Sequence, residues 1–299
     1  MKFSGERFIP GLSGEIQLEH FSRYYFVIKQ IDLSNKIVLD LASGEGYGSD
    51  LLAHYSKQVI GIDISSKTIE HAKSKYAKSN LSFEVGAAIN IPLPDHTIDV
   101  FVSFETIEHH DKHFEMLHEI KRVLKPDGIL VMSSPDKYYY SDKPNLKNKF
   151  HIKELYYDDY KHLIKSYFTR SMFYSQKIFA GSIIALDDNI QCYKKPLVVD
   201  IDGYSYDLTP VYNITIATDN NDFNPTYQIV LYKECDHILT NNDIQQAILF
   251  IQNSKAYKLG NFFIKPLRIL NKFFLRNKIK HHNLKTILFL ISLMMNISQ

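Results

Sequence analysis

Short apolar runs alternate with amphipathic segments between residues 36 and 134. Five apolar runs predict strands, at 36–42, 58–64, 81–86, 97–104 and 128–134. The segments between several of them repeat apolar residues at helical spacing, at 46–56, 65–77 and 111–124. Nearly continuous apolar strands separated by helices are typical of a parallel sheet that is covered on both faces. The pattern therefore predicts an α/β fold.

The flanking segments have a different pattern. An amphipathic helix is predicted over 15–31, ahead of the first strand. Further apolar segments at 171–186, 211–219 and 227–234 are joined by longer loops. We expect these segments to finish the same sheet with an antiparallel edge.

Charge is distributed unevenly along the 299 residues, whose formal net charge is +2. No Asp or Glu follows Asp243, whereas nine Lys or Arg do, and a helix predicted over 243–257 opens this basic region. The chain therefore divides into three expected parts, an N-terminal lid segment over 1–35, a main domain over 36–240 and a basic amphipathic helical extension over 241–299.

Within the extension, residues 257–299 interleave cations with Phe, Leu and Ile. A basic amphipathic helix is typical of docking on an anionic membrane surface or on an acidic partner. The alternative is that this stripe packs on the acidic body of the same chain or in a homodimer. Nucleic acid is not an expected partner, because residues 1–243 carry a net charge of −7 and would repel a polyanion.

The composition is that of an ordinary globular protein, with 45% hydrophobic and 23% charged residues, which excludes a disordered or fibrous chain. Two cysteines, Cys192 and Cys235, are too few for a disulfide framework or a four-thiolate zinc site. The first residues lack the apolar stretch of a secretion signal. We therefore expect a cytoplasmic protein, with peripheral attachment to the inner face of the membrane as a further option.

The first predicted strand ends in a turn of small residues, which is where an open parallel sheet binds ligands. Ala42, Gly44 and Gly46 allow a sharp turn and a close approach of the backbone to a ligand. Their spacing differs from the glycine pattern that holds a pyrophosphate, and Glu45 would repel a diphosphate. Asp40 favours a cationic group, so the turn indicates a positively charged nucleoside more than a dinucleotide. A nicotinamide-dependent oxidoreductase is the alternative.

Asp63 ends the second predicted strand, nineteen residues after Gly44. A carboxylate at this place can accept two hydrogen bonds from a ribose diol. A glycine-rich turn after a strand is often purely structural. The ordered combination of strand, turn, helix, strand and acid is the stronger signal for a nucleoside site.

Four segments resemble, in order, the motifs of class I S-adenosylmethionine-dependent methyltransferases, at 38–52, 59–65, 87–110 and 119–135. The resemblance implies a Rossmann-like, seven-stranded, mostly parallel sheet with an antiparallel final hairpin. It also implies S-adenosyl-L-methionine as methyl donor and S-adenosyl-L-homocysteine as product. The residues that would hold this cofactor are Asp40, Ala42, Gly44, Gly46, Asp63, Ile64, Ala88, Phe104 and Arg23. Asp63 would hold the ribose, and Arg23 would pair with the methionine carboxylate or else form a surface salt bridge.

Two positions depart from the family pattern. Ala42 stands where the first motif usually has glycine, and Ala87 and Ala88 stand where an acid often binds the adenine amine. Apolar walls such as Ile64 and Ile89 would then contact the adenine.

Methyl transfer to a hydroxyl requires a positioned acceptor and a base that removes the proton. His109 is the first candidate, since histidine titrates near neutral pH, and Glu105 lies on the same turn. The alternative is that the acidic residues there cap the following helix. A metal site formed by Glu105, His109 and His113 is conceivable, but the sequence assigns no metal.

His151 is the second candidate base. It follows a long polar loop that would overhang the acceptor pocket, and we expect it to open a helix. Its alternative role is that of a helix-terminal residue with a satisfied ring.

The segments around Glu19–Tyr24, 104–110 and 148–155 are similar to methyltransferases of bacterial surface-polysaccharide biosynthesis, which often accompany glycosyltransferases. This similarity implies an O-methyltransferase acting on a sugar hydroxyl or related group of a surface-glycan precursor. The alternatives are another small acceptor, such as a quinone, a lipid or a phosphate-type glycan decoration, and a non-catalytic scaffold for glycosyltransferases. Residues 257–299 would then dock on the membrane or on a glycosyltransferase.

Overall fold

The computed structural model describes the backbone of residues 15–178, 182–186, 197–199, 205–206, 210–226 and 229–232, and the side chains within 16–178 and 210–226. The predictions for residues 1–14, for Cys192 and Cys235, and for the basic extension, including 257–299, lie outside these residues. Within this part of the chain, no helix combines the length and apolar character needed to span a membrane.

Five parallel strands form the centre of the sheet, in the order β3-β2-β1-β4-β5. They are β1 Ile37–Leu41, β2 Gln58–Asp63, β3 Leu81–Val85, β4 Ile98–Ser103 and β5 Leu124–Pro135. All five were predicted from the apolar runs. Residues 125–128 form an irregular stretch within β5, where pairing with β4 shifts between Leu124 and Ile129.

The later strands complete the sheet with antiparallel pairs, as expected. They are β6 Arg170–Ile178, β7 Ser182–Leu186, β8 Leu197–Val199, β9 Ser205–Tyr206, β10 Tyr212–Thr218 and β11 Ile229–Tyr232. β10 inserts between β5 and β6 and is antiparallel to both, which completes the expected seven-stranded, mostly parallel sheet. β7 and β11 extend this edge to nine strands, and β8 and β9 form a separate ribbon.

Helices cover both faces of the sheet. They are α1 Glu15–Gln30, α2 Tyr47–Ala53, α3 Ser66–Lys75, α4 His113–Val123 and α5 Tyr157–Lys165, with a 3-10 turn at Ile107–His109 and a π-helical turn at Tyr138–Asp142. Ser65 caps the N-terminus of α3, because its side chain accepts a hydrogen bond from the Thr68 amide.

Two apolar layers fix which way each strand residue points. Leu39, Phe101 and Leu130 pack on the α4 and α5 side, in one cluster of buried residues. Val38 and Val100 pack on the opposite side, with side chains of α1 and α2. Since neighbouring residues of a strand face opposite sides, the position of each polar residue near a strand end is determined by this alternation.

Candidate functional site

A cavity of about 810 Å3 opens at the carboxyl ends of β1, β2 and β4. It runs from the turn after β1 to the loop before α5, and α1 supplies part of its wall. Nine of the twelve predicted site residues line it, namely Ala42, Gly44, Asp63, Ile64, Ala88, Phe104, Glu105, His109 and His151. The remaining three, Asp40, Gly46 and Arg23, lie behind its walls.

Three residues of the turn after β1 have positive φ angles: Ala42 at 59°, Gly44 at 53° and Gly46 at 84°. This backbone region is open to glycine and costs about 1–2 kcal/mol for a residue with a Cβ atom. Gly46 is needed for a second reason, because an added Cβ would lie 2.8 Å from Cζ of Phe83. The small residues of this turn are therefore explained by its conformation as well as by any ligand.

Asp63 connects the turn to the end of β2. Its Oδ2 accepts a hydrogen bond from the Gly44 amide at 3.1 Å, and its Oδ1 accepts one from the Ser65 amide at 2.9 Å. The residue is only 3% exposed, yet it lines the cavity. A carboxylate oxygen accepts more than one hydrogen bond, so Asp63 can still receive the two hydroxyls of a ribose.

Asp40 is a correction to the prediction that it would line the methionine part of the cofactor. It is 1% exposed and lies outside the cavity lining, on the α1 and α2 side of the sheet. Ser49 donates a hydrogen bond to its Oδ2 at 2.6 Å, and the Tyr24 hydroxyl donates to its Oδ1 at 3.2 Å. Burial raises the pKa of Asp40 to about 7. Asp40 therefore anchors two helices to β1.

Arg23 likewise differs from the prediction, because its side chain is fully buried and does not line the cavity. Its Nε donates to Oε1 of Gln176 at 2.8 Å. Its Nη2 lies 3.2 Å from Glu19 and 3.5 Å from Glu105, and the ring of Tyr212 covers the guanidinium at 4.5 Å. Arg23 is thus neither a surface salt bridge nor a residue placed to contact a ligand carboxylate directly.

We call the end of the cavity around the turn after β1 and Asp63 the donor part, and the end around Glu105, His109 and His151 the acceptor part. The far end of the donor part is apolar. Ile64, Ala87, Ala88 and Ile89 line it, and Ile64 is 71% exposed. This arrangement agrees with the expectation that apolar contacts would replace the missing acid. An adenine ring placed here would cover the exposed Ile64 side chain.

Glu105 lies at the start of the acceptor part. Its φ angle of 49° turns the chain sharply after β4. The Ser133 hydroxyl donates to its Oε1 at 2.7 Å, and its own amide lies 3.1 Å from the same hydroxyl. Glu105 is therefore held between β5 and Arg23 while facing the cavity.

His109 and His151 meet at the acceptor part, with ring centroids 5.2 Å apart and perpendicular planes. Nδ1 of His109 is 3.0 Å from the carbonyl oxygen of Phe150. Nδ1 of His151 contacts Oε1 of Glu154. In each neutral ring, the oxygen beside Nδ1 accepts a hydrogen bond, so the ring proton is on Nδ1. Nε2 then carries no proton and keeps its lone pair.

The prediction that His151 opens a helix is wrong. His151 lies in the loop that precedes α5, which begins at Tyr157. The amides of Ile152 and Lys153 both donate to the carbonyl oxygen of Glu108, at 2.8 and 3.1 Å. These bonds pin the loop to the 3-10 turn, and this is what brings His151 to His109.

The conceivable metal group of Glu105, His109 and His113 is not assembled. His113 lies in the first turn of α4, where its Nε2 bonds to the carbonyl oxygen of His110 at 2.8 Å. It is absent from the described cavity lining.

Sequence reasoning missed Glu108. Its carboxylate is buried and lines the cavity, and it receives no hydrogen bond from any other described residue. Burial, with the nearby charge of Glu105, raises its pKa well above the usual range. An acid one residue before a candidate histidine was the available signal, but a helix-capping role explained it equally well.

Residues distant in sequence complete the walls. They are, among others, Glu19 and His20 of α1, Tyr140, Asn148, Phe150 and Tyr212. Burial lowers the pKa of His20 to about 3, and its Nδ1 lies 2.9 Å from the Tyr47 hydroxyl. No local pattern marks these residues, because only the fold brings them together.

Known proteins are similar to the part of the chain that forms the central strands. A family model described as a methyltransferase domain matches residues 39–132, from β1 to β5. A solved S-adenosylmethionine-dependent methyltransferase from Mesorhizobium loti superposes with a TM-score of 0.48 at 14% identity, over 65% of this chain and 95% of that one.

Two curated relatives are similar over part of their length. A Mycolicibacterium smegmatis protein named "Probable S-adenosylmethionine-dependent methyltransferase" is 35% identical over 160 residues, which is 52% of this chain and 60% of that protein. Phthiotriol/phenolphthiotriol dimycocerosates methyltransferase of Mycobacterium tuberculosis is 32% identical over 119 residues, 39% of this chain and 44% of that protein. The chain thus spans 60% or less of these relatives. Residues 39–132 are thus similar to a methyltransferase domain, and the sheet contains the seven-stranded, mostly parallel arrangement expected of a class I methyltransferase fold.

Proposed function

We propose that this protein is an S-adenosylmethionine-dependent O-methyltransferase whose acceptor is a sugar hydroxyl, or a related group, of a bacterial surface-glycan precursor. One observation carries the proposal. A single cavity joins the turn after β1 and Asp63, which suit an adenosyl group, to His109 and His151, which suit a hydroxyl acceptor.

The donor part fits a cationic nucleoside better than a dinucleotide. Glu45 is 1% exposed, lines the cavity and pairs with His71 at 2.7 Å. A buried carboxylate in the turn repels a diphosphate and attracts a sulfonium. Gly44 and Ala42 would lie against the methionine part, Asp63 would receive the ribose hydroxyls, and Ile64 and Ala88 would contact the adenine.

The proposed reaction is one displacement. The acceptor oxygen forms a bond to the methyl carbon, the carbon–sulfur bond breaks, and its electron pair stays on the sulfur of S-adenosylhomocysteine. The hydroxyl proton passes to a base of the acceptor part. His109 presents an Nε2 without a proton, and Glu105 offers a carboxylate. The Nε2 of His151 also lacks a proton but accepts a hydrogen bond from the Asn148 amide at 2.9 Å, which would have to break first. The chain holds the two substrates in line and accepts the proton.

The lining of the acceptor part favours a polyol. Glu105, Glu108, Asn148 and Lys112 face the cavity beside the two histidines, and Tyr140 offers a ring. Such a set can bind several hydroxyls and stack on a sugar face. A lipid hydroxyl is the second candidate, because the relative from Mycobacterium tuberculosis is named for a dimycocerosate acceptor.

The test is a transfer assay with S-adenosylmethionine labelled in its methyl group. Nucleotide sugars and surface-glycan oligosaccharides form one acceptor panel, and lipid or quinol hydroxyls form the other. We expect label and the mass of one added methyl group in a sugar. Label only in the lipid panel would replace the glycan acceptor by the second candidate. Binding of S-adenosylhomocysteine without transfer to either panel would favour a non-catalytic scaffold.

We also propose that residues 257–299, which lie outside the described residues, attach the protein to an anionic membrane surface or to a glycosyltransferase. Nine cations and no acid after Asp243 support this proposal, since each cation near such a surface contributes about 1 kcal/mol. Flotation with anionic liposomes, comparing the chain with a variant whose cations in this segment are changed to Gln, is the test. Equal flotation of the chain and the variant would contradict attachment to an anionic membrane surface.

A further inference from the structure

We infer that Glu108, His109 and His151 form a binding site for one divalent transition-metal ion at the acceptor part of the cavity. One ligand atom of each residue lies within 4.8 Å of the others, and Nε2 of His109 is 3.9 Å from Oε1 of Glu108. An ion bonded at about 2.1 Å to each atom requires ligand atoms roughly 3.0–3.4 Å apart, so the three side chains must move toward one another when the ion binds.

The first observation is the isolation of Glu108. Its side chain has no exposed area, and its carboxylate receives no hydrogen bond from any other described residue. Burying a carboxylate without a partner is costly, so such a group generally pairs with a cation or becomes neutral. The guanidinium of Arg23, whose charge acts on Glu108, is already held by Glu19 and Glu105.

The second observation is the orientation of the imidazoles. His109 donates from Nδ1 to the carbonyl oxygen of Phe150, and His151 donates from Nδ1 to the carboxylate of Glu154. A metal-ligating histidine usually donates its other ring N–H to a carbonyl or carboxylate oxygen. This hydrogen bond fixes the tautomer in which Nε2 carries no proton.

Two further contacts bear on His151. The ring of Tyr140 stacks on it, with centroids 5.1 Å apart and planes 24° apart, which restricts its rotation. The side-chain amide of Asn148 lies 2.9 Å from its Nε2 and donates to that nitrogen. Metal binding at Nε2 replaces this one hydrogen bond, and Asn148 can then turn toward an acceptor.

The donor set selects the class of ion. Two imidazole nitrogens and one carboxylate oxygen suit Mn2+, Fe2+, Co2+ or Zn2+ better than Mg2+ or Ca2+, which prefer oxygen ligands. Three protein ligands leave coordination positions open toward the cavity. The carboxylates of Glu105 and Glu108 together make the electrostatic potential at the proposed metal site negative.

The next step rests on the proposed function. The acceptor hydroxyl would bind at the open coordination positions of the ion. A coordinated hydroxyl has a lowered pKa and is a better nucleophile. His109 and His151 then serve as ligands, and Glu105, which also faces the cavity, accepts the hydroxyl proton as the oxygen bonds to the methyl carbon.

The test measures metal binding directly. The full chain is freed of metal by chelation and dialysis, and Mn2+ is titrated by electron paramagnetic resonance, with Co2+ followed by visible absorption. We expect one saturable site per chain. Glu108→Gln, His109→Gln and His151→Gln should each weaken it at least roughly tenfold, and Glu115→Gln and His118→Gln, on the exposed face of α4, should not.

A further variant, Glu154→Gln, changes the acceptor of the His151 Nδ1 proton without removing a metal ligand. It should weaken Mn2+ binding roughly 10–100-fold, because it loosens the tautomer of His151. The binding of S-adenosylhomocysteine, measured on the same samples by calorimetry, reports both folding and the proposed function. Wild-type protein that binds S-adenosylhomocysteine but no Mn2+ or Co2+ would overturn the metal site. Saturable metal binding unaffected by all four variants would overturn it equally.

Discussion

The amide of Gly44 donates a hydrogen bond to Oδ2 of Asp63 at 3.1 Å, and this bond joins the ends of β1 and β2 at the mouth of the cavity. One carboxylate thus shapes the turn that would receive the methionine part and faces the proposed position of the ribose.

The first prediction concerns Asp63. Asp63→Ala should weaken the binding of S-adenosylhomocysteine by about 1–3 kcal/mol, because the charge-assisted bonds to the ribose and the bond to Gly44 are lost together. Calorimetric titration measures the change, and Asp127→Asn, an exposed change in β5, is the control. Unchanged affinity in Asp63→Ala would show that the nucleoside binds elsewhere.

The second prediction concerns Ala42 and Gly46, which have positive φ angles of 59° and 84°. Ala42→Gly relieves an unfavourable conformation and should change the free energy of unfolding by less than about 1 kcal/mol in either direction. Gly46→Ala adds a Cβ 2.8 Å from Cζ of Phe83 and should lower the free energy of unfolding by about 1–3 kcal/mol. Urea denaturation compares the two variants, and equal stabilities would contradict the described turn.

The third prediction concerns the pH dependence of stability. Burial raises the pKa of Asp40 to about 7, above its unfolded value of 3.8. The unfolded chain therefore releases this proton first, and the stability that the protonated form contributes is lost as the pH rises from about 4 to about 7. The loss is about 1.4 kcal/mol per pH unit at most.

The measurement for Asp40 is chemical denaturation at several pH values. The free energy of unfolding of the wild type should fall across this range relative to that of Asp40→Asn, which carries no titrating proton. A constant difference between the two proteins would show that Asp40 does not titrate in the folded state as described.

The fourth prediction concerns the acceptor part. His109→Gln and His151→Gln should each lower kcat by on the order of 100-fold, whether the rings accept the proton or bind a metal. Affinity for S-adenosylhomocysteine should stay nearly unchanged, because both residues lie away from the donor part. His118→Gln is the control. Unaltered turnover in both variants would remove the two histidines from the reaction.

The fold was largely predictable because strands of a sheet that is covered on both faces are nearly continuous apolar runs in the sequence. The apolar runs marked β1 to β5, and the segments at 171–186, 211–219 and 227–234 marked the later strands. The extra edge strands β7 and β11 were part of that pattern, but the resemblance implied only seven strands.

Site residues that end consecutive strands were predictable from the sequence. Residues that only packing brings to the site were not. Gly44 and Asp63 end consecutive strands, so their meeting followed from the parallel sheet. Asp40 was misplaced because strand alternation turns it toward Tyr24 and Ser49. Glu108 stayed unrecognised because only the loop bonds of Ile152 and Lys153 bring His151 beside it.

The most direct test of the account is a calorimetric titration of the purified protein with S-adenosylhomocysteine and, separately, with a nicotinamide dinucleotide. The account predicts saturable binding of the first at one site per chain, lost or weakened in Asp63→Ala, and no binding of the second. Binding of the dinucleotide by protein that ignores S-adenosylhomocysteine would contradict the account.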